Sequence, residues 1–336
     1  MKHLVLLAGL LATVPAVAQQ PPASVQEPPA SQQPPAAAPA KNVDEAVERA
    51  GAYVAAYGEQ MAPVIGVERY AQWMQRADAP RPTSKHLVSE FALVRVKDDW
   101  LGFRDVYEID GQAAGDRQDR IQKLFLESQG NSLEQGRRIS DESARHNLGP
   151  LQRNFNVPTT ALLFLQPSNV KRFSFKKTGE DKVNDVRVWK IGYQETSKPT
   201  LIRTGSGVDM PVKGTFWVDP LTGRVLKTHM ELKLERKGTA KGSSSSDPGG
   251  FGDLLAQAQK SQSGIDDRRV VSSVSITVTY RQEAALAMLV PGEMRETYEA
   301  PMRSAFSGEE LMTTVNCRAT YEQFRRFDTS GKLIVK

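Results

Sequence analysis

Apolar and polar residues alternate most cleanly in the second half of the chain. Between Val225 and Glu235, Leu226, Thr228, Met230, Leu232 and Leu234 fall on one side of an extended strand, and Lys227, His229, Glu231 and Lys233 fall on the other. The same two-residue period returns with Val274, Ile276, Val278 and Tyr280 set against Ser273, Ser275, Thr277 and Thr279. Strands with one apolar and one polar face belong to an antiparallel sheet that is buried on one side and wet on the other. Val315, Cys317, Ala319 and Tyr321 repeat the pattern near the C-terminus. Phe216 to Val218 runs into Asp219-Pro220-Leu221-Thr222-Gly223, whose residue types favour a tight turn back into the next strand. Upstream, Leu87 to Val96 and Trp100 to Asp110 are rich in Val, Phe, Tyr and Leu and are separated by Lys97-Asp98-Asp99, which predicts a hairpin. Ile65, Val67 and Trp73 favour a strand over 64–75.

A helical period appears first at Val43, Val47, Ala50, Val54 and Tyr57. Asn42 precedes it with Glu45 three residues on, the spacing of a capping box, so a helix is expected over about 43–60. Between the two sets of strands, Asp116 can cap a helix carrying Ile121, Leu124 and Phe125. Ser132 with Gln135 forms a second capping pattern before Ile139, and Asn147 with Gly149 supplies a stop. Pro158 fits the first turn of a third short helix, and Pro167 ends its apolar run Ala161 to Leu165.

The N-terminus has its own logic. Lys2, the apolar run Leu4 to Val14 and the small residues Ala16 and Ala18 read as a cleavable signal peptide over 1–18, with Gln19 as the first mature residue. The run is too short to span a bilayer, no other transmembrane segment is read, and no cysteine follows the site to carry a lipid. Residues 19–41 are Pro, Ala, Gln and Ser with Pro-Pro pairs, a spacer that cannot form a core. Residues 42–336 are expected to be one domain with a Gly/Ser-rich flexible insertion at 237–269. The placement is therefore periplasmic or secreted after cleavage near Ala18.

Composition narrows the function by exclusion. Hydrophobic residues at 39% and charged residues at 25% are those of an ordinary globular chain. The formal charge of +5 is small for this length and no basic stripe interleaves with aromatics, so nucleic acid is not expected as a partner. Cys317 is alone and reads as a small buried hydrophobe. His86, His146 and His229 lie in three separate segments without metal-ligand spacing, and no metal or cofactor is expected. Serine motifs are equally poor. Ser174 and Lys177 point to opposite faces of a strand, Ser168 with Lys171 is a chance match, Gly205-Ser206-Gly207 lacks the nucleophile-elbow spacing, and Ser143 near His146 and Asp141 is better explained by helix-end capping. The carboxylate pairs Glu108 with Asp110 and Glu293 with Glu296 have Arg104 and Arg295 close by as ion-pair partners. No catalytic residue is named.

Val157-Pro158-Thr159-Thr160-Ala161-Leu162-Leu163-Phe164-Leu165, followed by Val170 to Phe175 and Val186 to Tyr193, resembles the short Pro-led lid segment and following strands of the LolA-like periplasmic lipoprotein-carrier superfamily. Phe216 to Leu226 is similar to that superfamily's recurrent strand, turn and strand unit. The helices over 116–146 and the 237–269 insertion depart from the simple carriers. Glu142 to Gly149 and Ala319 to Phe327 are closer to exported bacterial proteins of uncharacterised function. The resemblance implies an α+β fold: a curved antiparallel sheet, or half-open β-barrel, with helices packed on or inside its concave face.

Three functions follow in order of expectation. The first is a non-enzymatic envelope protein that holds an acyl chain or lipoprotein partner in an apolar half-barrel cavity lined by Leu226, Met230, Leu232, Val274, Ile276, Val278 and Tyr280. The second is a periplasmic protein-interaction or sensor module without a lipid ligand, in which the same residues are packed core. The third is an exported hydrolase, limited by the absent motifs.

Overall fold

The computed structural model describes residues 38–96, 99–114, 144–149, 156–203, 208–236, 270–304, 307–308 and 310–326. The signal segment, most of the spacer, nearly all of the helical block at 116–146 and the insertion at 237–269 lie outside the described residues. So do Asp141, Ser143 and Gly205 to Gly207.

The described chain begins with one long helix, α1 (Val43–Met61). Asn42 caps it as expected, its Oδ1 accepting from the Glu45 N–H at 2.9 Å. Glu45 reaches back one residue further than a capping box requires, to the Lys41 N–H at 2.8 Å, and also binds Arg49. Ala46, Val47, Ala50, Val54, Tyr57 and Met61 form the buried stripe of α1, the recurrence that its helical period encodes.

The strands are β1 (Val64–Arg76), β2 (Thr83–Val96), β3 (Asp99–Ile109), the two-residue β4 (Gln112–Ala113), β5 (Phe173–Val183), β6 (Val186–Glu195), β7 (Val212–Val218), β8 (Val225–Arg236), β9 (Val270–Glu283), β10 (Met288–Arg303) and β11 (Glu310–Arg326). They form a single antiparallel sheet in the order β4-β3-β2-β1-β11-β10-β9-β8-β7-β6-β5. Every neighbour in that order is also a chain neighbour except β1 and β11, so one long-range pairing joins two meanders. The sheet is not closed: β5 ends one edge and β4 the other.

The balance of elements differs from an even α+β mixture. The described residues include α1, three short 3-10 helices and the helical Ala144, and the fold is mostly sheet. The Pro-led segment is the longest of the 3-10 helices, at Thr160–Leu165, with Ala161, Leu162, Phe164 and Leu165 buried. Two turns punctuate the strands, and of these the sequence predicts only the second. Asn184 and Asp185 both adopt positive φ in the two-residue β5–β6 connection, the backbone that such hairpins need. Between β7 and β8, the Asp219 carboxylate accepts from the Leu221 N–H and the Thr222 hydroxyl. Gly223 follows at φ +75, where a Cβ would stand 2.4 Å from the Arg49 carbonyl oxygen. That close approach exists because the turn docks on α1: the Arg49 guanidinium donates to the carbonyls of Pro220 and Leu221, and the Ala40 N–H donates to Pro220 O at 2.8 Å.

One apolar cluster unites these elements. It takes the α1 stripe, the 160–165 segment and the inward residues of the strands from β1 to β11. α1 contacts β2, β5, β8 and the 160–165 segment, and that segment contacts β8. No described helix is long and apolar enough to cross a membrane.

Candidate functional site

The seven residues expected to line a cavity come together. Pairing of β8 with β9 sets Met230 opposite Ile276, Leu232 opposite Val274 and Thr228 opposite Val278, so the two apolar stripes form one continuous surface. All seven, Leu226, Met230, Leu232, Val274, Ile276, Val278 and Tyr280, are between 1% and 5% exposed. They belong to the same cluster as α1 and the 160–165 segment. Tyr280 marks the junction: its hydroxyl donates to Pro158 O at 2.6 Å, and its ring meets Tyr57 of α1 edge-on. Burial pushes the Tyr280 and Tyr57 phenols well above their ordinary range, so both stay neutral.

A second, polar feature lies further along the same inward face. Glu68 and Tyr70 of β1, Arg104 of β3, Glu296 and Tyr298 of β10, Tyr321 of β11 and Asn156 are all buried. Arg104 forks onto Glu68, with Nη2 to Oε1 at 2.7 Å and Nε to Oε2, while the Tyr321 hydroxyl donates to Glu68 Oε1 at 2.7 Å. Burial works against the guanidinium charge, but the Glu68 carboxylate outweighs it and holds the Arg104 pKa above its ordinary value. The remaining donors of Arg104 grip Asn156, Nη1 to Oδ1 at 3.2 Å and Nη2 to the backbone carbonyl at 3.0 Å. The Asn156 amide in turn donates to Glu296 Oε2 at 3.1 Å and to the Tyr70 hydroxyl, and Tyr298 also donates to Glu296. Three strand residues, Arg104, Tyr70 and Glu296, thus hold Asn156 directly, while Glu68 backs Arg104, Tyr321 backs Glu68 and Tyr298 backs Glu296. Gln72 of β1 makes a similar grip beside it, accepting from the Leu148 N–H at 2.9 Å and donating to His146 O at 3.2 Å.

Sequence reasoning paired several of these groups differently. Glu293 and Glu296 do not act together. Glu293 accepts from Arg295 and Arg318 on the exposed side, while Glu296 points into the protein, because residues three apart in a strand face opposite ways. Arg104 binds Glu68 rather than Glu108 or Asp110, and Asp110 instead accepts from the His86 N–H at 2.8 Å in a turn. The signal for Glu296 was available: it is in phase with Met294, Tyr298 and Ala300, all buried, which marks an acid at an apolar-face position. Ser174 and Lys177 do face opposite sides, in register with Gln194 and Ile191. His86 is exposed within β2, not ahead of it, and His229 is half-buried with Nε2 at 3.1 Å from Ser275 Oγ. Cys317 is buried and forms no disulfide. Among the described residues no group of histidine, cysteine and acidic side chains is arranged to hold a metal ion.

No known family pattern matches the chain, and no curated protein matches it. Solved structures similar to it include an outer membrane lipoprotein-sorting protein domain from Vibrio parahaemolyticus, at 11% identity and a TM-score of 0.35 over 83% of this chain and 93% of that one. A DUF1329 family protein from Desulfovibrio piger follows at 10% identity and 0.30, over 84% of this chain and 94% of that one. A chain of the MucA/MucB complex of Pseudomonas aeruginosa is similar at 10% and 0.20, over 85% of this chain and 100% of that one.

Proposed function

We propose that the chain is an exported, non-enzymatic envelope protein that takes up an acyl chain, free or on a lipidated partner, on the apolar inward face of β8 and β9. The reading supposes a sheet curved into a half-barrel with α1 and the 156–172 segment as its cover. Geometry supports the curvature. β2 and β5 stand eight places apart in the sheet order, about 38 Å in a flat sheet, yet α1, about 28 Å long, contacts both. The observation that carries the proposal is how the cover is held. Besides its apolar packing, hydrogen bonds from Tyr280 and from the Arg104–Asn156–Glu296 group latch it at Pro158 and Asn156. The apolar contacts of the cover belong to the common cluster, so uptake of a ligand requires the 160–165 side chains to leave the strands as well as these bonds to break, a local opening short of global unfolding.

Met230→Lys tests this. Where the face opens to a ligand, a lysine stem can lie along it with the ammonium at the opening. Binding of a fluorescent fatty acid is then lost while a cooperative melt remains. Where the face is permanently sealed, the same change buries an ammonium and the protein fails to fold. Wild-type protein that binds no apolar probe, together with a Met230→Lys variant that does not fold, would sink the carrier reading. The interaction module would then stand as the better reading.

A further inference from the structure

The outer flank of the sheet holds a feature that the inner-face reading does not use. Strand register lines up Lys176 of β5, Gly192 of β6, Thr215 of β7 and His229 of β8 in one row across four strands. Three inter-strand steps make that row about 14 Å long. Its middle is low because Gly192 has no side chain and Thr215 a short one. The row on one side, Gln194, Lys213 and Glu231, is taller. The row on the other is Lys190, Trp217 and Lys227, with both ammonium groups near the indole ring, the Lys227 one at 4.6 Å from its centroid. A trough results, with a cavity of about 580 Å³ between Lys176 and His229.

The chemistry of its walls is specific. Lys213 is matched by Glu231 at 3.1 Å, and Asp181 is engaged by the Trp217 Nε1–H at 2.9 Å. Lys176 is exposed and has no carboxylate within ion-pairing distance among the described residues. The hydroxyls of Ser174 and Thr178 donate to the carbonyls of Gln194 and Lys190, which leaves their oxygen lone pairs as acceptors. Burial lowers the His229 pKa, and Lys227 and Lys213 act with it against the nearby Glu231 carboxylate. The imidazole is therefore neutral near pH 7 and offers a hydrogen bond rather than a charge. Lys176 at one end and the Glu231-paired Lys213 on one wall, with the hydroxyl oxygens of Ser174 and Thr178 beside them, suit a ligand that carries both an anion and several O–H groups.

We propose that this trough binds a phosphorylated polyol or sugar, with the phosphate at Lys176 and the ligand hydroxyls over Gly192 toward His229. The phosphoryl polyol is common to free metabolites and to phospholipid headgroups, and the test separates the two. Titration calorimetry with glycerol 3-phosphate is run beside co-sedimentation with phosphatidylglycerol vesicles, on wild type, Lys176→Ala and Gly192→Val. Binding of glycerol 3-phosphate that weakens at least tenfold in Lys176→Ala supports the site for a free ligand. Vesicle binding alone, with the same loss, supports it for a headgroup. Gly192→Val fills the floor, since a Cβ there already stands 3.1 Å from the Thr178 methyl, and should remove binding in either case. Lys176 is exposed, so its variant should melt as wild type does. No binding to either probe overturns the proposal. So does binding no tighter than that of inorganic phosphate and unchanged in both variants. On wild-type protein, fatty-acid binding reports the inner face and binding of glycerol 3-phosphate or vesicles reports the trough, so failure of the inner-face reading and failure of this one are distinguishable.

Discussion

Arg104 is the residue on which most of the buried polar structure depends. It neutralises Glu68 and at the same time fixes Asn156 through two further bonds. A buried ion pair adds little over an apolar core of the same shape, but losing one partner leaves an uncompensated charge. Arg104→Met should therefore destabilise by about 3–5 kcal/mol. Adding Glu68→Gln to that variant should recover part of the loss by removing the stranded carboxylate. Urea unfolding of both variants checks this, and a single-variant cost under about 1 kcal/mol would show that solvent reaches Glu68. None of this was legible in the sequence. Val67-Glu68-Arg69-Tyr70 puts opposite charges on adjacent positions, so alternation alone does not say which one faces inward. Glu68 is buried and Arg69 pairs outside with Glu322 because of what β11 and β3 place beside them, which is tertiary information.

At the scale of elements, legibility tracked how local the determining forces were. α1 was readable because both its cap and its apolar stripe lie within its own residues. The β7–β8 turn was readable because Asp219 satisfies its own loop through side-chain bonds. The full length of β5 was not. Lys176-Lys177-Thr178-Gly179-Glu180-Asp181-Lys182 carries almost no apolar signal, since an edge strand is only partly buried and its charges discourage further pairing. The Asn184-Asp185 pair was the missed clue to its hairpin. The ends of β8 and β9 bear on the insertion between them. Arg236 is in register with Val270, so the intervening residues leave and return at one point and the strand ladder needs none of them. Deleting residues 240–266 should change stability by less than about 1 kcal/mol, because closing a shorter loop costs slightly less entropy. A loss above about 2 kcal/mol on thermal melting would mean that the deleted residues pack on the sheet.

At the scale of the whole molecule, the sheet order itself was beyond sequence reading. Single turns were legible at 97–99 and 219–223, but β10 was not read, and the joining of the two meanders through β1 and β11 pairs residues from opposite ends of the domain, such as Tyr70 with Ala319. That pairing is what brings Glu68, Arg104, Glu296 and Tyr321 within reach of one another and so builds the latch. If the latch holds a cover that opens, stability must be uneven across the molecule. The 160–165 segment is tied to its own turn by single backbone bonds, such as Leu162 N–H to Thr159 O at 3.0 Å, whereas Met230 and Ile276 sit in the middle of a long antiparallel ladder. Amide hydrogen exchange under native conditions should therefore show the 160–166 amides opening at a free energy several kcal/mol below that of central β8 and β9. Adding decanoate should change protection at 160–166 while leaving central β8 and β9 at the global value. Exchange of both regions at one common rate set by global unfolding, with no response to decanoate, would show that the cover is part of the core and would remove the physical basis for a ligand at Met230.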